Sequence, residues 1–190
     1  KFKIPILYVS HSIEEISQIA DEIILLNNGK KVSSGSLSKT LNSNSFQKLI
    51  GKFESSSVLE GILSETDQLM KITTLDVNGQ KLIVPGRPGL IGNIVRVRIR
   101  SRDVIVSPVR VNTDITENQL EGIITNIYTE KDTAFSELVI NLKNSKINKK
   151  SQLLRARITT YNLNKMKIAE NKKVFIYISS VSIDRQAYQY

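Results

Sequence analysis

The side chain in this chain best suited to proton transfer or metal binding is its only histidine, His11. It stands between the apolar run IPILYV at residues 4–9 and the segment SIEEISQIADE at residues 12–22. The chain contains no cysteine and no second histidine, which excludes thiolate and polyhistidine metal sites. A lone histidine after a buried strand often only caps a helix or packs, and without further context that is the simpler interpretation.

A second candidate is a set of arginines in the segment IVRVRIRSRDVIV, residues 94–106. Alternation along a strand places them on one face: Arg96, Arg98, Arg100 and Arg102. On an OB-like barrel such a face could follow the phosphates of single-stranded nucleic acid. Binders of that kind usually add aromatic platforms, and none is interleaved here. A solvated face beside acidic neighbours such as Asp103 is therefore the favoured interpretation.

Composition narrows the class of protein. The 190 residues carry 27 Lys and Arg against 18 Asp and Glu, for a net charge of +9 that is spread along the chain. Such a charge permits binding of an anion or nucleic acid but does not require it. The absence of cysteine excludes a disulfide scaffold and fits a reducing, cytoplasmic setting.

Residues 1–50 have the pattern of an α/β segment. The predicted order is a buried strand at 4–9, a helix capped by Ser10 or Ser12, a buried strand at 23–26, an Asn-Gly turn at 27–29, an edge strand at 30–35, and one or two short helices within 36–50. Residues 51–57 are predicted to be a linker. From Val58 onward, short alternating strands follow one another between turn residues.

The β region contains an internal repeat. LEGI occurs at 59–62 and 120–123, and VRVRIRS at 95–101 corresponds to VFIYISS at 174–180. We therefore expect two related β units, at 58–109 and 110–190, each near the size of a five-stranded barrel. One larger sandwich is the alternative. The predicted fold class is α+β and mostly β, with an α/β remnant followed by tandem OB-like barrels.

Residues 5–36 resemble the end of the ATP-binding domain of ABC transporters. The matching landmarks are Ser10-His11, Glu15, Ala20-Asp21, the Asn-Gly turn and Gly35. The resemblance implies that His11 is the switch histidine, which in the full-length parent hydrogen-bonds the γ-phosphate of ATP and positions the attacking water.

Other parts of that ATPase are missing from the sequence. The chain has no phosphate loop of the form G-x-x-x-x-G-K-[ST] and no ABC signature. In the family these segments lie upstream of the switch histidine, and the chain opens at Lys1 close to an uncapped apolar run. We therefore expect it to be part of a longer protein. ATP, Mg²⁺ and hydrolysis are expected of that parent and not of the isolated chain.

The β region resembles the regulatory C-terminus of molybdate ABC transporter ATP-binding subunits, which is a TOBE or MOP module. The best-matching pieces are ARIT at 156–159 and SSVSI at 179–183. The resemblance implies a site for molybdate or tungstate, with candidate ligands Thr116, Thr159, Ser179 and Ser180. Ser179 replaces a common Lys, and ITEN at 115–118 replaces Ser-x-Arg-Asn. Losing a Lys and gaining Glu117 should weaken oxyanion binding, because a like charge near an oxyanion repels it.

Taken together, the resemblance implies the C-terminal regulatory fragment of the ATP-binding subunit of a molybdate-type ABC importer. The parent would be cytoplasmic, bound to the inner face of the membrane through a permease subunit, and the β units would form a homodimer and sense the oxyanion. The alternatives are an OB-like basic module for single-stranded nucleic acid, and an ATPase subunit of an importer for another substrate. Nucleic acid is the less favoured partner.

Overall fold

A computed structural model describes residues 4–41, 43, 45–46, 55–86, 89–112, 118–143, 151–179 and 181–183. The helices whose full bounds lie within these ranges are α1 (Ile13–Ile19), α2 (Leu37–Leu41) and α3 (Thr160–Lys165), and residues 45–46 are also helical. A 3₁₀ turn lies at Ser101–Asp103. The strands are β1 (Glu22–Asn27), β2 (Lys30–Ser36), β3 (Ser56–Asp67), β4 (Ile72–Val77), β5 (Gln80–Pro85), β6 (Ile94–Arg100), β7 (Val104–Ser107), β8 (Gln119–Thr129), β9 (Phe135–Leu142), β10 (Leu153–Thr159), β11 (Lys173–Ile178) and β12 (Ser182–Ile183).

The N-terminal segment forms a small helix–hairpin unit. Ser12 caps α1, and Asn28 and Gly29 take positive φ values of 48° and 74° in the tight turn that joins β1 to β2. The predicted helix, turn and returning strand are thus confirmed. A small apolar cluster holds this unit against β3, and its members are Ile13, Ile23, Leu37, Leu41, Phe46 and Val58.

The prediction of a buried strand at residues 4–9 was wrong. These residues form neither strand nor helix, and Ile6, Leu7 and Val9 are 80%, 89% and 88% exposed. A parallel strand is buried only when neighbouring strands and covering helices flank it. Within the described residues the nearby sheet has two strands, β1 and β2, and neither pairs with residues 4–9. For the same reason the apolar run of β1 is half exposed, with Ile24 at 61% and Leu26 at 62%.

The β region folds into two five-stranded antiparallel sheets, as the predicted fold class required. The first sheet has the order β12-β6-β3-β4-β5 and the second the order β10-β9-β8-β11-β7. Each sheet curls until its edges approach, since β12 contacts β5 and β7 contacts β10. The inward-facing side chains of both sheets form one continuous apolar core. The result is a pair of nearly closed, OB-like barrels.

The two sheets exchange edge strands. The first sheet takes β12 from the end of the chain, where Ser182 pairs with Arg98, and the second takes β7, where Val106 pairs with Ile176. The predicted units, residues 58–109 and 110–190, do not anticipate this exchange, because β7 and β12 each join the sheet of the other unit. In addition, β3 begins at Ser56, inside the segment assigned as a linker, and Ser55 to Ser57 are buried.

The repeat LEGI has a steric explanation. Its glycines lie on β3 and β8, where a Cβ atom on Gly61 would come within 2.9 Å of the Leu75 Cβ, and one on Gly122 within 2.5 Å of the Ile140 Cγ2. Each glycine precedes a β-bulge at the same repeat position, near Ser64 and near Thr125. The glycines therefore let the bulged strands approach their neighbours closely.

Candidate functional site

His11 lies exposed at the N-terminal end of α1, in a short loop stiffened by hydroxyl groups. The Ser10 hydroxyl accepts a hydrogen bond from the Ser12 N–H at 3.0 Å, and the Ser12 hydroxyl accepts one from the Glu15 N–H at 3.3 Å. Backbone N–H groups at a helix start are thereby satisfied locally. The main chain on both sides of His11 is fixed as a result.

A carboxylate completes this loop. Glu15 accepts hydrogen bonds from the Ser10 hydroxyl at 2.6 Å and the Tyr8 hydroxyl at 3.0 Å, both at Oε2. These bonds hold the pKa of the Glu15 carboxyl below its ordinary value, and the hydrogen bond to Glu15, followed by the charge on Glu15, raises the pKa of Tyr8. We define Tyr8, Ser10 and Glu15 as the Glu15 cluster. It presents the His11 side chain to solvent and leaves it room to meet a ligand.

Of the four oxyanion candidates, Thr116 and Ser180 lie outside the described residues. Thr159 ends β10 and caps α3, and its hydroxyl accepts a hydrogen bond from the Asn162 N–H at 3.2 Å. Ser179 follows β11, and both its N–H and its hydroxyl donate to the Asp103 carbonyl, at 3.2 and 3.3 Å.

Thr159 and Ser179 lie on the same curled sheet, and neither hydroxyl bonds the other in the described residues. Thr159 pairs with Phe135, beside the end of β8 at Thr129, whereas Ser179 lies past Tyr177, which pairs with Gln119 at the start of β8. Because the sheet is nearly closed, β10 also contacts β7 and the 3₁₀ turn that contains Asp103, the residue bonded to Ser179. Each hydroxyl is engaged with the backbone beside it.

The basic side chain near Thr159 is already paired. Arg157, two residues earlier on β10, makes a two-pronged contact with Glu130, at 3.0 Å from Nε to Oε1 and 3.2 Å from Nη2 to Oε2. Its guanidinium also stacks 3.8 Å from the centre of the Phe135 ring. Within the described residues, the positive charge at this end of the sheet is therefore offset by Glu130.

The arginine face is confirmed in part. On β6, Val95, Val97 and Ile99 are buried and the arginines alternate with them. Arg102 lies in the 3₁₀ turn and not on the strand. Arg96 donates to the Ala20 carbonyl at 3.1 Å and lies 3.6 Å from Glu60, and Arg98 donates to the Ser56 hydroxyl at 3.0 Å. Arg96 therefore connects β6 to the N-terminal segment and to β3, and Arg98 connects β6 to β3.

Sequence reasoning missed three clamps between the β units, each made by a side-chain amide. Gln80 brackets the backbone of Glu121, accepting from its N–H at 2.6 Å and donating to its carbonyl at 3.1 Å, and Gln152 brackets Glu60 in the same way, at 2.7 and 2.8 Å. Asn118 likewise brackets Ile83, at 2.6 and 2.9 Å. Glu60 and Glu121 are both the second residue of LEGI, so aligning the two repeats would have marked the clamped positions.

The described residues contain no group of three or more carboxylate or histidine side chains placed to hold a metal ion. Among the helices in the same ranges, none has the length and apolar character needed to cross a bilayer.

Comparison with known proteins gives the family. No family model matches the chain. Among curated proteins, the molybdenum import ATP-binding protein ModC of Paramagnetospirillum magneticum is 36% identical over 131 residues, which cover 67% of this chain and 35% of that protein. The protein of the same name from Haemophilus influenzae is 30% identical over 183 residues, which cover 96% of this chain and 50% of that protein. The protein of the same name from Methylococcus capsulatus is 27% identical over 180 residues, which cover 95% of this chain and 48% of that protein.

A solved structure shares the fold. The cytoplasmic molybdate-binding protein ModG, crystallised with molybdate bound, superposes with a TM-score of 0.53 at 15% identity, covering 67% of this chain and 94% of that one. The chain spans about half the length, or less, of the curated relatives cited above. By sequence, the chain is a homologue of the molybdenum import ATP-binding proteins and corresponds to the C-terminal part of those relatives.

Proposed function

We propose that this chain is the regulatory part of an ATP-binding subunit that drives import of molybdate or tungstate through a membrane permease. The observation that carries this function is the match of relatives named as molybdenum import ATP-binding proteins along 95% of the chain. Support from the fold comes from the tandem barrels, since the solved structure that shares this fold is named for binding molybdate. In this function the full-length parent binds ATP and Mg²⁺, is held at the inner face of the membrane by its permease, and pairs as a homodimer.

His11 would act in the nucleotide site of the parent protein. The imidazole is exposed and the Glu15 cluster fixes the loop that carries it, which suits a side chain that hydrogen-bonds the γ-phosphate and positions water. In the longer protein, His11→Ala should lower ATP turnover by about 10²–10⁴-fold while nucleotide binding is unchanged. Steady-state hydrolysis and nucleotide titration check this, and turnover at the normal rate would refute the role.

The β units would sense the oxyanion. In the proposed homodimer, Thr159 and Ser179 would contribute to the oxyanion site. Hydroxyls and backbone N–H groups would supply most of its hydrogen bonds, since Ser179 stands where relatives of this type commonly carry a lysine. Weak binding in the millimolar range is the expectation.

Thermal unfolding of the 190-residue chain with molybdate tests this function. Millimolar molybdate should raise the melting temperature slightly, because a ligand of the folded state stabilises it by about 0.4 kcal/mol at a concentration equal to its Kd and by about 1.4 kcal/mol at ten times its Kd. Thr159→Ala should abolish that increase and also cost about 1 kcal/mol through loss of the α3 cap. Thr159→Ser keeps a capping hydroxyl, so it should retain both the rise in melting temperature with molybdate and the stability that the α3 cap provides. If molybdate leaves the unmodified chain unaffected while the chain is folded, the sensing role is wrong.

A further inference from the structure

A cleft lies where the two β units meet. Its volume is about 310 Å³, at the low end of the range of about 300–1,000 Å³ for small-molecule sites. The turn between β4 and β5 forms one wall, and β8 and β11 form the other. Its basic lining residues are Lys81, Arg110 and Lys143, and its acidic lining residue is Glu121. Thr159 and Ser179 do not line it.

The acidic side chain does not cancel the positive charge. Glu121 Oε2 lies 3.0 Å from the Lys173 ammonium and 3.4 Å from that of Lys143. The Lys173 hydrogen bond, followed by that of Lys143, holds the pKa of the Glu121 carboxyl below its ordinary value against the opposing effect of burial. Within the described part of the chain, Lys81 and Arg110 have no ion pair, so the cleft keeps a positive excess.

The floor of the cleft is pre-formed. Gln80 ties the start of β5 to the backbone of Glu121 on β8, and its side-chain amide also donates to the Lys143 carbonyl at 3.1 Å. The Lys143 N–H donates to the Glu121 carbonyl at 2.8 Å, and Leu120 beneath is 1% exposed. A ligand would therefore meet fixed backbone with mobile basic side chains around it, at a small ordering cost.

The repeat gives an internal comparison. Gln119 in the cleft is the counterpart of Val58, and Phe175 is the counterpart of Arg96, by the 61- and 79-residue offsets of the two repeats. In the first sheet that face is covered by the N-terminal segment, which packs on Val58 and accepts a hydrogen bond from Arg96 at the Ala20 carbonyl. In the second sheet the same face carries the open basic cleft. The fold therefore uses one copy of this face for docking and leaves the other accessible.

We infer that the cleft binds a small molecule that carries two or more negative charges on phosphate or carboxylate oxygens. Lys81 on β5 and Arg110 after β7 both line it, and each would hold one anionic group. This site is separate from the proposed molybdate site, and either can exist without the other.

Calorimetry and amide chemical-shift mapping of the 190-residue chain test the inference. At fixed ionic strength, the probes are inorganic pyrophosphate for the phosphate source and citrate for the carboxylate source. At least one should bind and shift the amide signals of Gly79, Gln80 and Leu120. The double variant Lys81→Gln/Arg110→Gln should weaken that binding about tenfold or more, because it removes two charge-assisted contacts.

Lys30→Gln/Lys165→Gln is the matched control, since it removes two exposed positive charges elsewhere and should change the affinity less than twofold. Equal weakening by both double variants would mean that only overall charge attracts the anion, and would overturn the site. Absence of binding by both probes, or shifts centred on Thr159 and α3, would do the same. The amide map of the unmodified chain decides this even if a variant is unstable. Loss of the molybdate effect in Thr159→Ala leaves these results unchanged, so the two sites fail separately.

Discussion

Replacing Glu137 with leucine should lower the free energy of unfolding by about 3–5 kcal/mol, the range typical when one member of a buried ion pair is removed. Glu137 on β9 pairs with Arg155 on β10, and their side chains are 10% and 3% exposed. The Ser55 hydroxyl also donates to Glu137, at 3.3 Å. Without the carboxylate, the Arg155 charge would lose its ion-pair partner in a nearly water-free position.

Most of the expected loss in stability comes from the buried Arg155 charge that remains, and a double variant tests this. Glu137→Leu/Arg155→Met removes both charges, so it should recover most of the stability lost in Glu137→Leu. Urea denaturation of the single and double variants gives the coupling directly. A Glu137→Leu loss below about 1 kcal/mol would show that the pair is solvated in solution. Glu121→Gln is the surface comparison, with an expected loss of at most about 1 kcal/mol because its partners Lys143 and Lys173 are exposed.

Replacing Gly122 with alanine should be the most damaging single-methyl addition in the β region, with a loss of about 2–4 kcal/mol. The added Cβ would lie 2.5 Å from the Ile140 Cγ2 and 2.8 Å from the Asn141 carbonyl oxygen. The carbonyl belongs to β9, which pairs with β8, and cannot move without disturbing the strand pairing. Thermal or urea unfolding measures the effect.

Gly61→Ala is the matched control for this second prediction. Its Cβ would meet the Leu75 Cβ at 2.9 Å and the Asp76 carbonyl oxygen at 3.3 Å, so the loss should be smaller than at Gly122. Adding Ile140→Leu to Gly122→Ala removes the nearest methyl group and should restore part of the stability, while the clash with the Asn141 carbonyl persists. Equal losses at the two glycines would contradict the geometry.

Local features were predictable from the sequence because they depend on a few adjacent residues. The helix after Ser12, the turn at Asn28-Gly29 and the alternating strands all follow from capping, positive φ and period-two patterning. The duplicated β unit was predictable from LEGI, since the repeated glycine meets the same steric demand in each copy.

Non-local features were not predictable. A period-two pattern marks β7 and β12 as strands, but contains nothing that assigns either to one sheet or the other. Apolar content alone predicted burial of residues 4–9, although burial depends on neighbouring strands that the described residues do not supply. The clamps by Gln80 and Gln152, and the cleft beside Gln80, depend on pairs of residues 41 and 92 positions apart, which no local pattern records.

The exchange of β7 and β12 also bears on how the protein folds and unfolds. Neither half of the β region can complete its sheet until the other half is in place, so the tandem barrels should denature in one cooperative transition despite their repeated sequence. Pairing between Ser182 and Arg98 joins residues 84 positions apart, and such distant contacts slow folding. A protease that cuts between the repeats would therefore leave the two fragments interlocked until the whole region opens.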